Sequence, residues 1–424
     1  MNYCKRCLYP ENHPLGIIFD DNGLCSGCRV HEEKYQIDWK NKSDDLEKLL
    51  GQYRSKANKY YDCIIPVSGT GDDFFVVDTI KNYYRLNPLL VSYNSQFTTK
   101  VGVRNLSRLI TELDCDHMIS TVGPDTVKEI TRTTLEKIGD IYWHVLAGSQ
   151  TFPVQVATKL RIPLIIWGVN GWLDQVGMFS HHDQVEMTKK VRKEHALRRL
   201  DAESLIGSNK KISKKDLQAF TYPSDMQLES SRVRGIYLGN YLFWDSQKQI
   251  EEMIIKYGYE TSIQERTYNT YESIYCFNNA GVHDYIKFLK YGFGKVTDHA
   301  SRDIRLKRIS RKQGVELVEK YQNLKPKSLA KFLDWLDITE EYFFECVDRH
   351  RDSSIWGKKD SEWTLLDSIS NHIDEEGTKE HALDINDPRD YILTGLLEET
   401  SDDDEYILLG RSYIDESNYR ATEG

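Results

Sequence analysis

Four cysteines stand in two close pairs, Cys4/Cys7 and Cys25/Cys28, with seventeen residues between the pairs. Cys-x2-Cys repeated in this way offers four thiolates from two turns, the arrangement that tetrahedral Zn2+ needs in a closed structural site. An iron–sulfur cluster, or two unrelated reduced pairs, are the competing readings of the same spacing. Residues 1–35 are rich in turn formers and poor in apolar side chains. They cannot build a core alone, and metal binding would supply the missing folding free energy. A closed four-thiolate site has no open coordination position, so chemistry must lie elsewhere. Cys63, Cys115, Cys276 and Cys346 are scattered, with no disulfide framework and no recognisable nucleophile turn among them.

The second chemistry-bearing segment is Cys63-Ile64-Ile65-Pro66-Val67-Ser68-Gly69-Thr70-Gly71-Asp72-Asp73. An apolar strand ends in a small glycine-containing loop, and an apolar-periodic helix starts directly after it. Such a loop turns backbone N–H groups and a helix N-terminus toward one point, a ready anion site; many strand-to-helix turns also need glycine for steric reasons alone. A comparable turn, Gly168-Val169-Asn170-Gly171-Trp172-Leu173-Asp174, follows the strand Pro163–Trp167, at the carboxyl end where open parallel sheets place their ligands. Further on, Lys295 precedes the basic run Arg302, Arg305, Lys307 and Arg308. Its 302/305/308 spacing puts three guanidinium groups on one face of a helix, either as an anion site or as a solvated stripe. His181, His182 and His195 read as hydrogen-bonded structural histidines. His299, flanked by Asp298 and Arg302, is the one we single out for chemistry.

These residues need a scaffold, and the 424-residue chain is long enough for two or three domains. Strands are expected at Cys63–Val67, Leu89–Tyr93, Asp116–Thr121 and Pro163–Trp167, and helices at 72–86, 101–113, 125–138 and 145–160. Alternation of this kind argues for an α/β fold with a doubly wound parallel sheet. The expected order is a zinc module (1–35), a linker helix (36–60), the sheet domain (61–245), an α-rich region (246–325), a helical extension (326–370) and a loosely ordered acidic tail (371–424) in which Tyr391–Leu397 could form one short helix. That tail holds sixteen Asp/Glu against four Lys/Arg, which more than accounts for the net charge of −10 and leaves the body near neutral. A near-neutral body gives no electrostatic reason to bind nucleic acid. No stretch approaches the roughly 20 apolar residues that cross a bilayer, and the N-terminus lacks an apolar signal core. A cytoplasmic location without membrane insertion is the expectation.

With the cysteine pairs ahead of it, the Ser68–Asp73 loop resembles the PP-loop of the N-type ATP pyrophosphatases (adenine nucleotide alpha hydrolase-like), whose pattern is Ser-Gly-Gly-x-Asp-Ser. Ser68, Gly69, Gly71 and Asp72 fit that pattern; Thr70 replaces a glycine and Asp73 the closing serine. The Gly168–Asp174 turn resembles the Gly-His-Asn-x-x-Asp segment that such enzymes place beside the nucleotide, with Asn170 and Asp174 in register and Val169 in place of histidine. Tyr3–Pro10, Asn87–Val91, Tyr142–His144, Gln175–His181, Glu186–Thr188, Arg192–His195, Gly239–Tyr241 and Tyr291–Arg305 together look like the N-acetyl sugar amidotransferase family, in colinear order over about three quarters of the chain. That resemblance implies an ATP-dependent ligase of bacterial surface-glycan biosynthesis (lipopolysaccharide, capsule or flagellin glycan) that converts a sugar N-acetyl group to an acetamidino group. Nonulosonic acids of the pseudaminic or legionaminic type would be typical substrates. It implies ATP and Mg2+ beside the structural Zn2+, and a separate glutaminase subunit supplying ammonia. On this reading Ser68, Gly69, Thr70, Gly71, Asp72, Asp73, Gly168, Asn170 and Asp174 bind the nucleotide. Asp72, with Asp73 or Asp174, holds Mg2+, while Lys295, His299 and Arg302 act on the leaving pyrophosphate or the sugar. The rivals are a tRNA-thiolating enzyme and a catalytically impaired regulatory chain.

Overall fold

The computed structural model describes residues 1–55 and 60–373. The acidic stretch from 374 onward, including the helix expected at Tyr391–Leu397, lies outside the described residues. The N-terminal module ends in α1 (Ser26–Glu33) and leads through α2 (Trp39–Gly51) into the sheet domain. There β1 (Cys63–Pro66), α3 (Gly71–Asp78, continued by one π turn over Thr79–Tyr83), β2 (Pro88–Tyr93), α4 (Lys100–Glu112), β3 (His117–Ser120), α5 (Pro124–Ile138), α6 (Trp143–Leu160) and β4 (Leu164–Trp167) alternate. After the short α7 (Gly171–Asp174) come α8 (Asp225–Ser231), β5 (Arg234–Tyr237) and α9 (Ser246–Tyr257).

All five strands are parallel, in the order β3-β2-β1-β4-β5. On β1, β2, β4 and β5 the side chains alternate: Cys63 and Ile65, Leu90, Leu164 and Ile166, and Ile236 face one apolar cluster with Phe74 of α3, Val101 and Leu109 of α4 and Met253 of α9. Ile64, Leu89, Val91, Ile165, Trp167 and Tyr237 face the other, with Val154 and Ala157 of α6. Helices therefore cover both faces, as a doubly wound parallel sheet requires. The four expected strands are present. β5 has no counterpart among them, because its four residues include Gly235 and carry too little apolar repeat to register.

Beyond α9 an irregular segment, residues 258–276, meets Thr98 of the sheet domain in an isolated bridge at Cys276. It leads to α10 (Asp284–Tyr291), α11 (Lys295–Arg305), α12 (Arg311–Tyr321), α13 (Ser328–Leu336) and α14 (Glu340–Asp348), closed by the hairpin β6 (Trp356–Lys359) and β7 (Glu362–Leu365). Leu135 of α5 packs in one cluster with Phe288 of α10, Phe332 of α13 and Phe343 of α14, which ties this region to the sheet domain. Leu8 of the N-terminal module is fully buried against Ala300, Ile304 and Val315 of α11 and α12. The core-poor module thus borrows a core from the far end of the chain. Among the described residues, no helix is long and apolar enough to cross a membrane.

Candidate active site

β1 and β4 are neighbours, yet the chain winds outward from them in opposite directions, to β2 and β3 on one side and β5 on the other. The strand order reverses there, and the crevice outside the carboxyl ends of the two strands is where such sheets bind ligands. The Ser68–Asp73 loop leaves β1 and the Gly168–Asp174 turn leaves β4, so the topology brings both sequence-predicted loops to one crevice.

Gly69 has φ +85°, and a Cβ on it would lie 2.9 Å from the backbone nitrogen of Leu106. Only glycine fits that bend against α4. Thr70 then caps α3 through a reciprocal capping box with Asp73. Asp73 Oδ2 accepts from Ser68 N at 2.7 Å and Thr70 N at 2.9 Å, with Ser68 Oγ at 3.3 Å. The anion cradle exists, and the chain's own carboxylate sits in it. Burial pushes the Asp73 carboxyl up from its ordinary value against these loop hydrogen bonds. In sequence Asp73 stands where the pattern has its closing serine; in the structure it occupies the same N–H groups that a phosphate would use.

Asp72 points away from the cradle. Its Oδ2 accepts from Ser246 Oγ at 3.3 Å, while its Oδ1 is buried with no partner among the described residues. Burial first, then the nearby Glu272 carboxylate, pushes Asp72 up to about 8, with the Arg302 guanidinium opposing. Glu272, on the irregular segment 258–276, takes both guanidinium nitrogens Nη1 and Nη2 of Arg302, the first at 3.1 Å, and faces His299 Nε2 at 3.5 Å. Burial works against its charge, but Arg302 and His299 outweigh it and hold Glu272 below the usual carboxylate range. The other ring nitrogen of His299, Nδ1, is 2.7 Å from Thr267 Oγ1. His299 and Arg302 therefore reach Asp72 through Glu272, which carries no sequence motif.

On the β4 side, Asn170 Oδ1 caps α7 by accepting from Trp172 N at 2.9 Å, so its oxygen serves the local turn. Asp174 is ion-paired with Lys34 of the N-terminal module. Burial opposes its charge, yet Lys34 brings it down to about 2. Among the described residues, only the four cysteines gather three or more metal-ligand groups. Neither Asp73 nor Asp174 joins Asp72 as the second Mg2+ carboxylate that the expectation offered, because Asp73 Oδ2 faces its own loop and Asp174 Oδ1 faces Lys34. Asp72 Oδ1, buried and without a partner among the described residues, is an oxygen left for a cation. A single carboxylate suits Mg2+, which draws its remaining ligands from phosphates and water.

The four-cysteine group is compact. Cys4 and Cys28 Sγ are 3.8 Å apart, Cys7 and Cys25 Sγ 3.6 Å, and all four lie within 4.8 Å of one another, fully buried. A tetrahedron with Zn–S bonds of about 2.3 Å has edges of about 3.8 Å, so the donor set fits Zn2+. Arg305, placed by the sequence in a phosphate-facing or solvated stripe, lies against this group. Its Nε is 3.4 Å from Cys28 Sγ and its Nη2 3.4 Å from Cys25 Sγ, while Nη1 donates to Gln175 O at 2.7 Å. Arg308 is off the helix altogether. α11 stops at Arg305, Lys307 takes φ +62°, and Arg308 pairs with Asp245 at 2.5 Å and Asp303 at 3.4 Å. Acidic partners take up Arg302 and Arg308, sulfurs and a carbonyl take up Arg305, and Lys307 is left exposed over the Tyr35 ring. Ser26 Oγ also donates to Val176 O at 2.6 Å, and a Cβ on Gly177 would lie 2.4 Å from Ser26 O. The cysteine module is thereby docked on the turn that follows β4. His195 packs on Trp172, ring centroids 4.7 Å apart, and His181 edge-on to Trp39 at 5.9 Å, both as packing residues. Lys295 Nζ donates to Asn279 O at 2.7 Å and Asn279 Oδ1 at 2.6 Å, and the residue lines a cavity together with Lys290 and Asp298.

Comparison with known proteins adds a little. The chain is 23% identical over 116 residues, 27% of its own length, to the uncharacterised protein MJ1599 of Methanocaldococcus jannaschii, and it spans 41% of that relative. Among solved structures it is similar to an NH3-dependent NAD synthetase from Campylobacter jejuni, with 11% identity, 46% of this chain and 93% of that one covered and a TM-score of 0.26. An NMN synthetase from Francisella tularensis gives 11% identity, coverage of 54% and 98%, and a TM-score of 0.26. Residues 265–370, which contain α10 to α14 with His299 and Arg302, match the family model of the LPS biosynthesis protein WbpG-like C-terminal domain.

Proposed function

We propose that this chain is an ATP-dependent amidotransferase of surface-glycan biosynthesis, splitting ATP to AMP and pyrophosphate while it converts a sugar N-acetyl group to an acetamidino group. The observation that carries the reading is the anion cradle at the strand-order reversal: two backbone N–H groups of the Ser68–Asp73 loop converge on one oxygen in the crevice between β1 and β4. The match of residues 265–370 to a lipopolysaccharide-biosynthesis domain supports the sugar context.

An amide carbonyl is a poor electrophile, so its oxygen must first be activated. That oxygen attacks the α-phosphorus of ATP; the new O–P bond forms as the α–β anhydride bond breaks and pyrophosphate leaves. Ammonia then adds to the adenylated imidate carbon, a proton is lost, and the C–O bond to AMP breaks. This chain's share is positioning and charge stabilisation. The Ser68 and Thr70 N–H groups and the α3 N-terminus hold the leaving pyrophosphate once Asp73 yields them. Mg2+ on Asp72 would neutralise phosphate charge. Glu272 holds Arg302 in the crevice, and His299 positions Glu272. Ammonia would come from a separate glutaminase, since none of the four unpaired cysteines stands in a nucleophile turn.

One observation favours a second reading. With Asp73 seated in the cradle, the chain could be a member that no longer turns over ATP. The decisive assay incubates the protein with ATP, Mg2+ and ammonium together with a panel of N-acetylated sugars or unmodified tRNA, and follows AMP and pyrophosphate. Sugar-dependent AMP that disappears in Asp72→Ala supports the amidotransferase. tRNA-dependent AMP points to thiolation, and no AMP with any partner to the inactive reading.

A further inference from the structure

Arg305 takes no part in the chemistry above, yet it is 4% exposed. A guanidinium carries five N–H groups, and here there are five acceptors for them. Nε is 3.4 Å from Cys28 Sγ, and Nη2 is 3.4 Å from Cys25 Sγ and 3.7 Å from Cys7 Sγ. Nη1 donates to Gln175 O at 2.7 Å and reaches Asp174 O at 3.5 Å. The group therefore serves the cysteine centre on one side and the turn after β4 on the other. The chain makes room for it: a Cβ on Gly27, inside the second Cys-x2-Cys, would lie 2.4 Å from Nη2. Tyr9 backs it, with the ring centroid 5.2 Å from the guanidinium carbon. Four thiolates around Zn2+ leave a net charge of about −2. A buried charge of that size needs a counter-charge, and Arg305 brings one.

An independent observation concerns α11 itself. Asp298, Ser301 and Arg305, three and four residues apart, share one face of the helix, and that face meets the N-terminal module. Tyr9 Oη donates to Asp298 Oδ1 at 3.1 Å, and Leu8 N to Ser301 Oγ at 3.2 Å. The adjoining face carries His299, Arg302 and Asp303, which meet Thr267, Glu272 and Tyr268 of the segment 258–276. The same module pins the turn after β4: Lys34 pairs with the Asp174 side chain, and Ser26 Oγ donates to Val176 O. We propose that Arg305 is a positioning residue that ties the metal centre to the nucleotide crevice. With Zn2+ bound, its guanidinium is drawn to the thiolates while it holds the Asp174 and Gln175 carbonyls, and this fixes α11, with Arg302, against the turn that closes the crevice. The inference rests on nucleotide binding in that crevice and adds that a closed, chemically silent metal site sets the affinity for ATP. By linkage, ATP must then tighten the hold on zinc by the same factor.

The test uses the full-length chain and two equilibrium measurements: zinc affinity by competition with a zinc-selective chelator, with and without Mg2+-ATP, and ATP affinity by titration of the zinc-loaded protein. In the wild type, Mg2+-ATP should tighten zinc on the order of tenfold, the weight of one charge-assisted hydrogen bond. Arg305→Met keeps the length of the side chain and removes its charge. It should bind zinc about 10- to 100-fold more weakly, as loss of a group supporting metal ligands does. With zinc saturating it should bind ATP about tenfold more weakly, and ATP should no longer change its zinc affinity. Arg305→Lys keeps the charge on a single nitrogen, which cannot meet sulfurs and carbonyls together. Its zinc affinity should stay close to that of the wild type while the ATP effect is lost. A residue that only fills space does not produce that split, and the lysine variant carries the test where the methionine variant does not fold. Unchanged zinc affinity in Arg305→Met, or an ATP effect retained in either variant, overturns the assignment. Wild-type protein that fails to bind ATP defeats the amidotransferase reading and this inference with it, whereas ATP binding that leaves zinc affinity unchanged defeats only the link through Arg305.

Discussion

Replacing Asp73 separates a cradle that is self-occupied from one that is merely capped. A phosphate oxygen held by Ser68 N and Thr70 N would stand where Asp73 Oδ2 now stands, 2.7 and 2.9 Å from those nitrogens, so the two anions exclude each other. If the carboxylate swings aside by about 5 Å, each unit of phosphate charge still meets roughly 3 kcal/mol of repulsion at an effective dielectric near 20. That is on the order of 100-fold in affinity. Asp73→Asn removes the charge and keeps an oxygen for the loop N–H groups. Asp73→Ser removes the charge and draws the side-chain oxygen back from the loop N–H groups, and loss of the reciprocal cap should cost about 1 kcal/mol of stability in urea unfolding. We expect ATP to bind Asp73→Asn on the order of 10- to 100-fold more tightly than wild type in EDTA. The gain should shrink when Mg2+ is present, because the cation screens the same repulsion. Equilibrium titration with ATP, with and without Mg2+, reads both quantities. Weaker binding by Asp73→Asn would refute the reasoning, since it would make the carboxylate a ligand of the cation–phosphate pair; unchanged affinity in both variants would show that phosphate binds elsewhere.

Other expectations follow from the same contacts. One zinc per chain should be found by metal analysis, and Cys25→Ser should lose it and expose residues 1–35 to protease; a metal-free preparation with an intact module would contradict the four-thiolate assignment. Lys34→Met strips the ammonium from the buried Asp174 and should cost about 3–5 kcal/mol, as breaking a buried ion pair does; the double variant Lys34→Met with Asp174→Asn should recover a good part of it, and a double variant no more stable than the single one would deny the pairing. His144 is fully enclosed beside Tyr93, and burial brings it down to about 3. The unfolded chain titrates near 6.5, so between those values it binds the proton that the folded chain refuses, and stability is lost as pH falls from about 6.5 toward 3. His144→Gln should flatten that fall in thermal unfolding, and an unchanged pH slope would count against it.

Much of this molecule is legible in one dimension, and the reason is range. The cysteine spacing, the Ser68–Asp73 loop and the turn after β4 are local patterns, written in residues a few positions apart. The four strands show because their apolar runs are short and bounded by turn formers, and their alternation with helices marks the sheet as parallel and doubly wound. β5 escaped because four residues with a glycine carry almost no periodicity. What surrounds the site is of another kind. Arg305 reaches Cys7 across 298 residues, Lys34 reaches Asp174 across 140, and Arg302 reaches Glu272 from a neighbouring element. In sequence each of these is one more charged residue in a polar stretch, and the basic run reads as a single stripe. Folding splits it, sending Arg302 to a carboxylate, Arg305 to thiolates and Arg308 to Asp245 and Asp303. A charge in a chain is interpretable only through its counter-charge, and at a site buried between three distant segments the fold alone decides which counter-charge that is.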